Sequence, residues 1–156
     1  MGVEIERKFL VKSLPDNLEQ YPCCTMIQGY LNTSPVVRVR KEDDMYYLTY
    51  KGSGLLSREE YNLPLNQEAF SHLIKKADGN IISKKRYKIP YNLKNQSLTI
   101  ELDIFDVPFA PLIIAEVEFE SEEQSSSFVI PSWFDNEVTY DSEYHNSNLS
   151  KKIFST

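Results

Sequence analysis

Polar and apolar residues alternate along most of the chain, and this period-two pattern predicts β-strands. The strand-like segments are separated by turn signals such as NTSP, EDD, KGSG, DGN and NLKNQ. They cover residues 2–11, 25–32, 36–42, 45–51, 57–63, 81–91, 97–105 and 111–120. Eight strands joined mostly by short turns predict an antiparallel meander that closes into a barrel. The predicted fold class is α+β but mostly β, in a single domain over residues 1–156.

Three helices are predicted to flank this barrel. The first covers residues 66–77, where Asn66 can cap the helix and an apolar stripe has helical spacing (Phe70, Leu73, Ile74 and Ala77). The others begin near SEEQSSSF and near SEYHNSNLSKKIF. We expect Tyr140, Tyr144 and Asn146 to hold the last helix against the barrel, where it could close one end.

Long charged side chains occupy one face of nearly every predicted strand, and they are largely grouped by sign. In VEIERKFLV, at residues 3–11, Glu4, Glu6 and Lys8 share one face while apolar residues and Arg7 occupy the other. The faces of the later strands carry Arg38 and Arg40; Lys51 with Thr49 and Tyr47; Arg58 and Glu60; Lys84, Arg86 and Lys88; Glu101 and Asp103; and Glu116, Glu118 and Glu120. A solvated sheet face is the ordinary explanation for one such strand. The grouping by sign favours charges that face inward and line a hydrated tunnel.

A buried wall of charge needs partners, because unpaired buried charges are strongly destabilising. Either the acidic and basic walls neutralise each other, or the tunnel binds ligands of both signs. Carboxylate oxygens suit hard divalent cations, and converging Arg and Lys side chains suit polyphosphate. A complex of Mg²⁺ with a polyphosphate would satisfy both walls at once.

Composition narrows the class of protein further. The 156 residues carry a net charge of −6, which disfavours binding to a nucleic-acid backbone. The only cysteines, Cys23 and Cys24, are adjacent and predict two reduced thiols, and no Cys/His motif has metal-ligand spacing. No signal peptide or long apolar run is visible, so we expect a cytoplasmic protein without membrane contact.

The segment EIERKFLV carries an ExExK motif and resembles the CYTH superfamily of triphosphate tunnel metalloenzymes. That group includes class IV adenylate cyclases, thiamine triphosphatases and inorganic triphosphatases. Further blocks resemble those of the family in the same order: IQGYL, VRVR, YLTYKG, REEYNL, KKRY, IELDIF, AEVEFE and EVTYDSEYHNSNL. The resemblance covers nearly the whole chain and is nearest to compact bacterial inorganic triphosphatases.

The resemblance implies an eight-stranded tunnel that binds a triphosphate with Mg²⁺ or Mn²⁺. It implies metal ligands at Glu4, Glu6, Glu116 and Glu118, supported by Glu101 and Asp103. It implies triphosphate contacts from Lys8, Arg38, Arg40, Lys51, Arg58, Lys84 and Arg86, with catalytic roles for Lys8, Arg38, Arg40, Lys84 and Glu60. Alternation favours Lys84 over Lys85 as the inward base, and Tyr30 could belong either to the site or to the core.

The implied reaction is hydrolysis of a triphosphate, foremost inorganic tripolyphosphate with some nucleoside triphosphate, by metal-activated water. The alternatives are a class IV adenylate cyclase, a thiamine triphosphatase and a non-catalytic module that binds polyphosphate or nucleotide. Cyclisation requires a pocket for adenine and ribose, and the short turns of this chain leave little material for one. The expected partner is a small-molecule triphosphate, and the expected assembly is a monomer or homodimer.

Overall fold

The structure is a computed structural model, and it describes residues 2–93 and 96–154. Alternating residues fold into nine strands: β1 (Gly2–Val11), β2 (Cys23–Thr33), β3 (Val36–Glu42), β4 (Met45–Lys51), β5 (Ser57–Leu65), β6 (Asp78–Leu93), β7 (Gln96–Phe105), β8 (Ile113–Phe119) and β9 (Phe134–Glu137). The α-helices are α1 (Gln67–Ile74), α2 (Glu122–Ser126) and α3 (Asn146–Leu149). Single 3₁₀ turns lie at Leu18–Gln20 and Ser142–Tyr144.

Eight of these strands form the closed antiparallel barrel that the alternation predicts. The hydrogen-bonded order is β5-β4-β3-β2-β6-β7-β8-β1, and β5 pairs with β1 to close the ring. The closing register places Glu4 opposite Arg58, and the next seam places Glu6 opposite Glu118 and Lys8 opposite Glu116. Charged residues two apart on each strand therefore meet charged residues of the next strand inside the barrel.

The ninth strand was not predicted. β9 pairs with the second half of β1, where Phe9 lies opposite Glu137 and Val11 lies opposite Phe134. Its four residues, FDNE, are too short and too polar for an alternating pattern to stand out. Strand β6 also begins at Asp78, so the predicted turn DGN belongs to the strand. In the predicted turn NLKNQ, Lys94 and Asn95 lie outside the described residues, as do Met1, Ser155 and Thr156 at the chain ends.

Two apolar clusters lie on opposite sides of the barrel wall. The outer cluster covers β1, β7 and β8 and includes Phe9, Ile100, Leu102, Val117, Phe119, Phe128 and Phe134. The inner cluster, here called the plug, fills one end of the barrel and includes Tyr30, Val36, Ile82, Phe105, Ile114 and Leu149. The same strands that point apolar residues outward carry charges inward, and those charges begin where the plug ends.

The helices cover the barrel much as expected. Asn66 caps α1 by accepting a hydrogen bond from the Ala69 amide at 2.7 Å, and Phe70 is the buried residue of the helix. The predicted C-terminal helix is shorter, because only the 3₁₀ turn and α3 are helical. Its end docks on β6, where the Asn80 amide donates to the Ser150 carbonyl at 2.6 Å. Gly79 has a φ of +69°, and a side chain there would strike Ser150 O, so this close approach needs glycine.

Both cysteines are free thiols, as predicted. In the part of the chain that the structure describes, no helix combines the length and apolar character needed to cross a membrane.

Candidate active site

The inward charges of the barrel enclose a compartment of about 200 Å³, here called the tunnel. Its lining consists of twelve charged side chains and two asparagines: Glu4, Glu6, Lys8, Arg38, Arg40, Glu42, Lys51, Glu60, Asn62, Arg86, Glu101, Glu116, Glu118 and Asn146. Most charged positions of the period-two faces predicted from the sequence therefore do point inward, whereas Lys88 and Glu120 are exposed. The set combines acids and bases at a depth where most soluble proteins place aliphatic residues.

On strands β6 and β7 the charges neutralise each other. Asp103 is fully buried and accepts hydrogen bonds from Arg86 Nε at 2.7 Å, Arg86 Nη2 at 2.8 Å and Lys84 Nζ at 2.7 Å. Arg86 also contacts Glu101 at 3.0 Å and Glu116 at 3.4 Å. Burial lowers the pKa of Arg86, but Asp103 and Glu101 outweigh that effect and raise the pKa well above its ordinary value. This group, Lys84, Arg86 and Asp103, is called the paired wall below.

The bases of β1 and β4 are also paired with acids. Lys51 Nζ lies 2.8 Å from Glu4 and 3.3 Å from Glu60. Lys8 Nζ lies 3.7 Å from both Glu6 and Glu116, a longer separation that leaves the ammonium group between the two carboxylates. Lys8 therefore lines the tunnel without a short hydrogen bond to either acid.

Strand β3 differs, because it presents buried guanidinium groups whose donors are not all used. Arg40 contacts Glu42 at 2.8 Å, yet the Nε–H groups of Arg38 and Arg40 have no hydrogen-bond partner among the described residues. Burial, together with the nearby Arg38 and Arg86, lowers the pKa of Arg40 to about 10. Arg38 and Arg40, called the open wall below, thus form a positively charged surface with donors that a ligand can use.

The acids at the far side of the tunnel repel one another. Burial, Glu116 and Glu4 raise the pKa of Glu6. Burial, Glu4 and Glu101 raise the pKa of Glu118 to about 7. Glu116 behaves in the opposite way: burial raises its pKa, but Lys8 and Arg86 outweigh burial and hold the pKa well below its ordinary value. Negative charge is therefore in excess around Glu6 and Glu118, which suits a cation.

The residues do not form a finished metal site. Among residues 2–93 and 96–154, no three acidic, histidine or cysteine side chains are arranged to bind a metal ion as they stand. The carboxylates of Glu4, Glu6 and Glu116 are each in contact with a lysine. The donor chemistry nevertheless fits a hard divalent cation, since oxygen ligands are abundant and the excess negative charge lies beside them.

The two ends of the tunnel differ. At the plug end, a small space of about 10 Å³ is enclosed by Lys8, Tyr30, Val36, Arg38, Lys51, Arg58, His145, Asn146 and Ser147. Arg58 lines this small space and donates through Nε to the Gly52 carbonyl at 3.1 Å. At the acidic end, an open cleft of about 540 Å³ shares Glu101 and Glu118 with the tunnel and also contacts Val3, Lys88, Leu98 and Phe119.

The structure resolves the residues that the sequence left ambiguous. Lys84 is fully buried inside the barrel and Lys85 is exposed, so alternation predicted the inward base correctly. Lys84 does not itself line the tunnel, because it lies behind Asp103 beside the plug. Tyr30 packs in the plug and also lines the small space at the closed end together with Arg38.

Some residues differ from what was predicted or were not predicted at all. Asn146 lines the tunnel and Tyr140 is 63% exposed, so of the three predicted anchors of the C-terminal segment only Tyr144 packs against the plug. Glu42 and Asn62 lie two residues beyond Arg40 and Glu60, so the same alternation could have found them. Asn146 had no such signal, because it comes from an irregular segment after the last strand.

The fold is a closed antiparallel β-barrel with a charged interior and one plugged end. The sequence matches the CYTH domain over residues 2–151, and the chain therefore belongs to the CYTH domain family.

Close relatives are known by sequence and by structure. The chain is 38% identical to an inorganic triphosphatase of Nitrosomonas europaea, across 96% of this chain and 98% of the relative. It is 37% identical to an inorganic triphosphatase of Acetivibrio thermocellus, across 99% and 97%. A solved structure of an inorganic triphosphatase superposes with a TM-score of 0.71 at 35% identity, covering 98% of this chain and 97% of the other. A Pyrococcus horikoshii protein, with a TM-score of 0.57 at 21% identity over 79% of this chain and 83% of its own, shares the fold alone.

Proposed function

We propose that this protein hydrolyses inorganic tripolyphosphate to orthophosphate and pyrophosphate inside the tunnel, in the cytoplasm. The single observation that carries the proposal is the open wall, where two buried guanidinium groups retain donors without partners. Phosphoryl oxygens are strong acceptors that match the fork of an Arg side chain. The identity to two inorganic triphosphatases over nearly the whole chain supports the same reaction.

The size of the tunnel favours an inorganic substrate. Its volume of about 200 Å³ lies below the roughly 300–1,000 Å³ typical of sites for drug-sized ligands. Bases from several strands surround it, namely Lys8, Arg38, Arg40, Lys51 and Arg86. A chain of three phosphoryl groups can contact most of them, whereas pyrophosphate would leave several without an anion.

A divalent cation, Mg²⁺ or Mn²⁺, is part of the proposal. Glu4, Glu6, Glu116 and Glu118 would hold it, with Glu101 in support. When bound, such a cation would neutralise phosphoryl charge and make water a stronger nucleophile. Both Asp103 oxygens are already engaged by Arg86 and Lys84, so we assign Asp103 to holding those bases in position instead of to the metal.

The remaining side chains would bind and orient the substrate. Arg38 and Arg40 would contact non-bridging oxygens and stabilise the charge on the transferred phosphoryl group. Lys8 and Lys51 would contact the phosphates once their carboxylate partners hold the cation instead. Glu60 stays beside Lys51: burial raises its pKa, but Glu4 and Lys51 hold the pKa below its ordinary value, so it remains a carboxylate that can orient water.

A second candidate activity is hydrolysis of nucleoside triphosphates. The open cleft of about 540 Å³ at the acidic end offers space and apolar contacts that the short turns had not suggested. A nucleoside could lie there while its triphosphate enters the tunnel. The three acids that border the cleft, Glu101, Glu118 and Glu120, make it a poor site for further phosphate.

Product analysis tests the proposal. We expect rapid release of orthophosphate from tripolyphosphate with Mg²⁺, slower release from ATP and little from pyrophosphate, which should act as a weak inhibitor. Assays with EDTA, and with Mn²⁺ in place of Mg²⁺, measure the metal dependence. Pyrophosphate as good a substrate as tripolyphosphate would contradict the extended phosphate site, and cyclic AMP from ATP would indicate a cyclase instead.

A further inference from the structure

Gln28 is a buried polar residue inside the barrel that the proposed reaction has not used. Its side chain is fully buried, and neither Nε2 nor Oε1 has a hydrogen-bond partner among the described residues. An amide without partners is destabilising in this position, where methionine would fill similar space without the loss. Both polar atoms of the amide are therefore available to a ligand.

The strand geometry fixes the direction of this side chain. Neighbouring Gly29 faces outward, where an added Cβ would lie 2.7 Å from both Ala77 Cβ and Ile74 Cδ1. Successive residues on a strand point to opposite faces, so Gln28 points into the barrel. Its cross-strand neighbours are Arg40 on β3 and Ile82 on β6. Gln28 thus lies where the open wall meets the plug, next to the tunnel-lining Arg40 but not itself among the described residues that line the tunnel.

Most of the unpaired side-chain atoms of this region are hydrogen-bond donors. The buried side-chain atoms that lack partners in the described chain are Arg38 Nε, Arg40 Nε, Gln28 Nε2 and Gln28 Oε1. Three of them are N–H donors and one is an acceptor. If Gln28 Oε1 accepts from Arg40 Nε, its cross-strand neighbour, the donors that remain are Arg38 Nε and Gln28 Nε2. A ligand that supplies only acceptors, such as a phosphoryl group, completes this set.

We propose that Gln28 is a further phosphate-binding residue, which holds the Arg40 guanidinium through Oε1 and donates through Nε2 to a phosphoryl oxygen. This inference rests on the proposed function, since it takes the ligand to be tripolyphosphate. In the absence of ligand, Arg40 instead contacts Glu42 at 2.8 Å. Binding would move the guanidinium from Glu42 toward Gln28 and the substrate.

Two substitutions at one position test this role. Gln28→Met keeps the size and removes both hydrogen-bonding atoms, so it should leave the melting temperature of the ligand-free protein unchanged or higher. Its affinity for tripolyphosphate, measured by calorimetry in EDTA, should fall about 10- to 100-fold, the range for a lost hydrogen bond to a charged group. Gln28→Glu keeps an acceptor for Arg40 but repels phosphate, and its affinity should fall further.

Gln96→Met is the matched control, because Gln96 bonds to Ser127 outside the barrel at 3.2 Å. It should bind and hydrolyse tripolyphosphate as the wild type does. Wild-type affinity in Gln28→Met, with or without a lower melting temperature, would overturn the inference and leave the amide a structural group. If Gln28→Met does not fold, the affinity of Gln28→Glu for tripolyphosphate is the test. A lower affinity supports the inference, and wild-type affinity overturns it. A wild type that neither binds nor hydrolyses tripolyphosphate would overturn the proposed function as well.

Discussion

The paired wall on β6 and β7 and the open wall on β3 lie in the same barrel interior with only β2 between them, yet their cations are held in different ways. On the paired wall, Arg86 has carboxylates on each of its donor nitrogens, and its pKa lies well above the ordinary value. On the open wall, Arg40 contacts only Glu42 among the described acids, and burial together with Arg38 and Arg86 lowers its pKa to about 10. A cation whose donors are all used by protein acids stabilises the fold, whereas a cation with unused donors is available to a ligand. The use of the donor nitrogens therefore distinguishes Arg86, which stabilises the fold, from Arg40, which can bind a ligand, although the two residues look alike in the sequence.

The largest expected effect follows from breaking the paired wall. Asp103→Asn removes the carboxylate that neutralises Lys84 and Arg86 and leaves two buried cations close together. Removing one partner of a buried ion pair destabilises a protein by about 3–5 kcal/mol. We therefore expect a loss of that size in the free energy of unfolding, measured by urea denaturation.

Glu101→Gln is the control for this substitution. Glu101 contacts the same Arg86 at 3.0 Å, but its side chain is 22% exposed and its pKa is raised by burial despite Arg86. We expect a change within about 1 kcal/mol. Equal effects at Asp103 and Glu101 would mean that the paired wall is not the scaffold described above.

The open wall should respond in the opposite sense. Arg40→Met removes a buried cation that repels Arg38 and Arg86, so the ligand-free protein should melt at the same or a higher temperature. Affinity for tripolyphosphate should fall by about 10- to 100-fold, because a charge-assisted hydrogen bond is lost. Lys85→Met, which alters an exposed base on the outer face, should change neither quantity. A strong loss of stability in Arg40→Met would place Arg40 with the scaffold.

Alternation was enough to predict the barrel and most of the tunnel lining. A residue two positions from a known inward charge also points inward, and this rule placed Glu4, Glu6 and Lys8 correctly, as it did Lys84 in preference to Lys85. It failed for β9, whose four residues show no period, and for Asn146, which reaches the tunnel from the C-terminal segment.

Pairing inside the tunnel could not be predicted from the strands alone. Which base is neutralised depends on the register between β6 and β7, where Arg86 lies opposite Asp103 and Lys88 opposite Glu101. A shift of two residues would keep every charge inside and still exchange the partners. The distinction between a paired wall and an open wall is therefore a property of the folded barrel.

The smallest expected effect concerns Glu118 at the acidic end. Like Arg40 on the open wall, this side chain lies near groups of its own charge. Burial, followed by Glu4, Glu101, Glu60 and Glu6, raises the pKa of Glu118 from its ordinary value of 4.5 to about 7. Between those two values the folded state binds more protons than the unfolded state, so the stability of the metal-free protein falls as pH rises. Above about pH 7 the repulsion is complete.

Glu118→Gln removes this repulsion, and its effect should change sign with the cation. At pH 8 without metal, the variant should melt above the wild type by at most about 2–4 °C, since Glu118 is partly exposed and solvent screens its charge. At pH 5 the two should melt together, because Glu118 is then protonated in the folded wild type. With Mg²⁺ at pH 8 the wild type should gain more stability than the variant, which has lost one oxygen ligand and one negative charge. Glu120→Gln, at an exposed position just beyond β8, is the control and should follow the wild type in all three conditions. If Glu118→Gln melts below the wild type at pH 8 without metal, the acids at this end are neutralised by the protein, and the cation has no excess charge to bind.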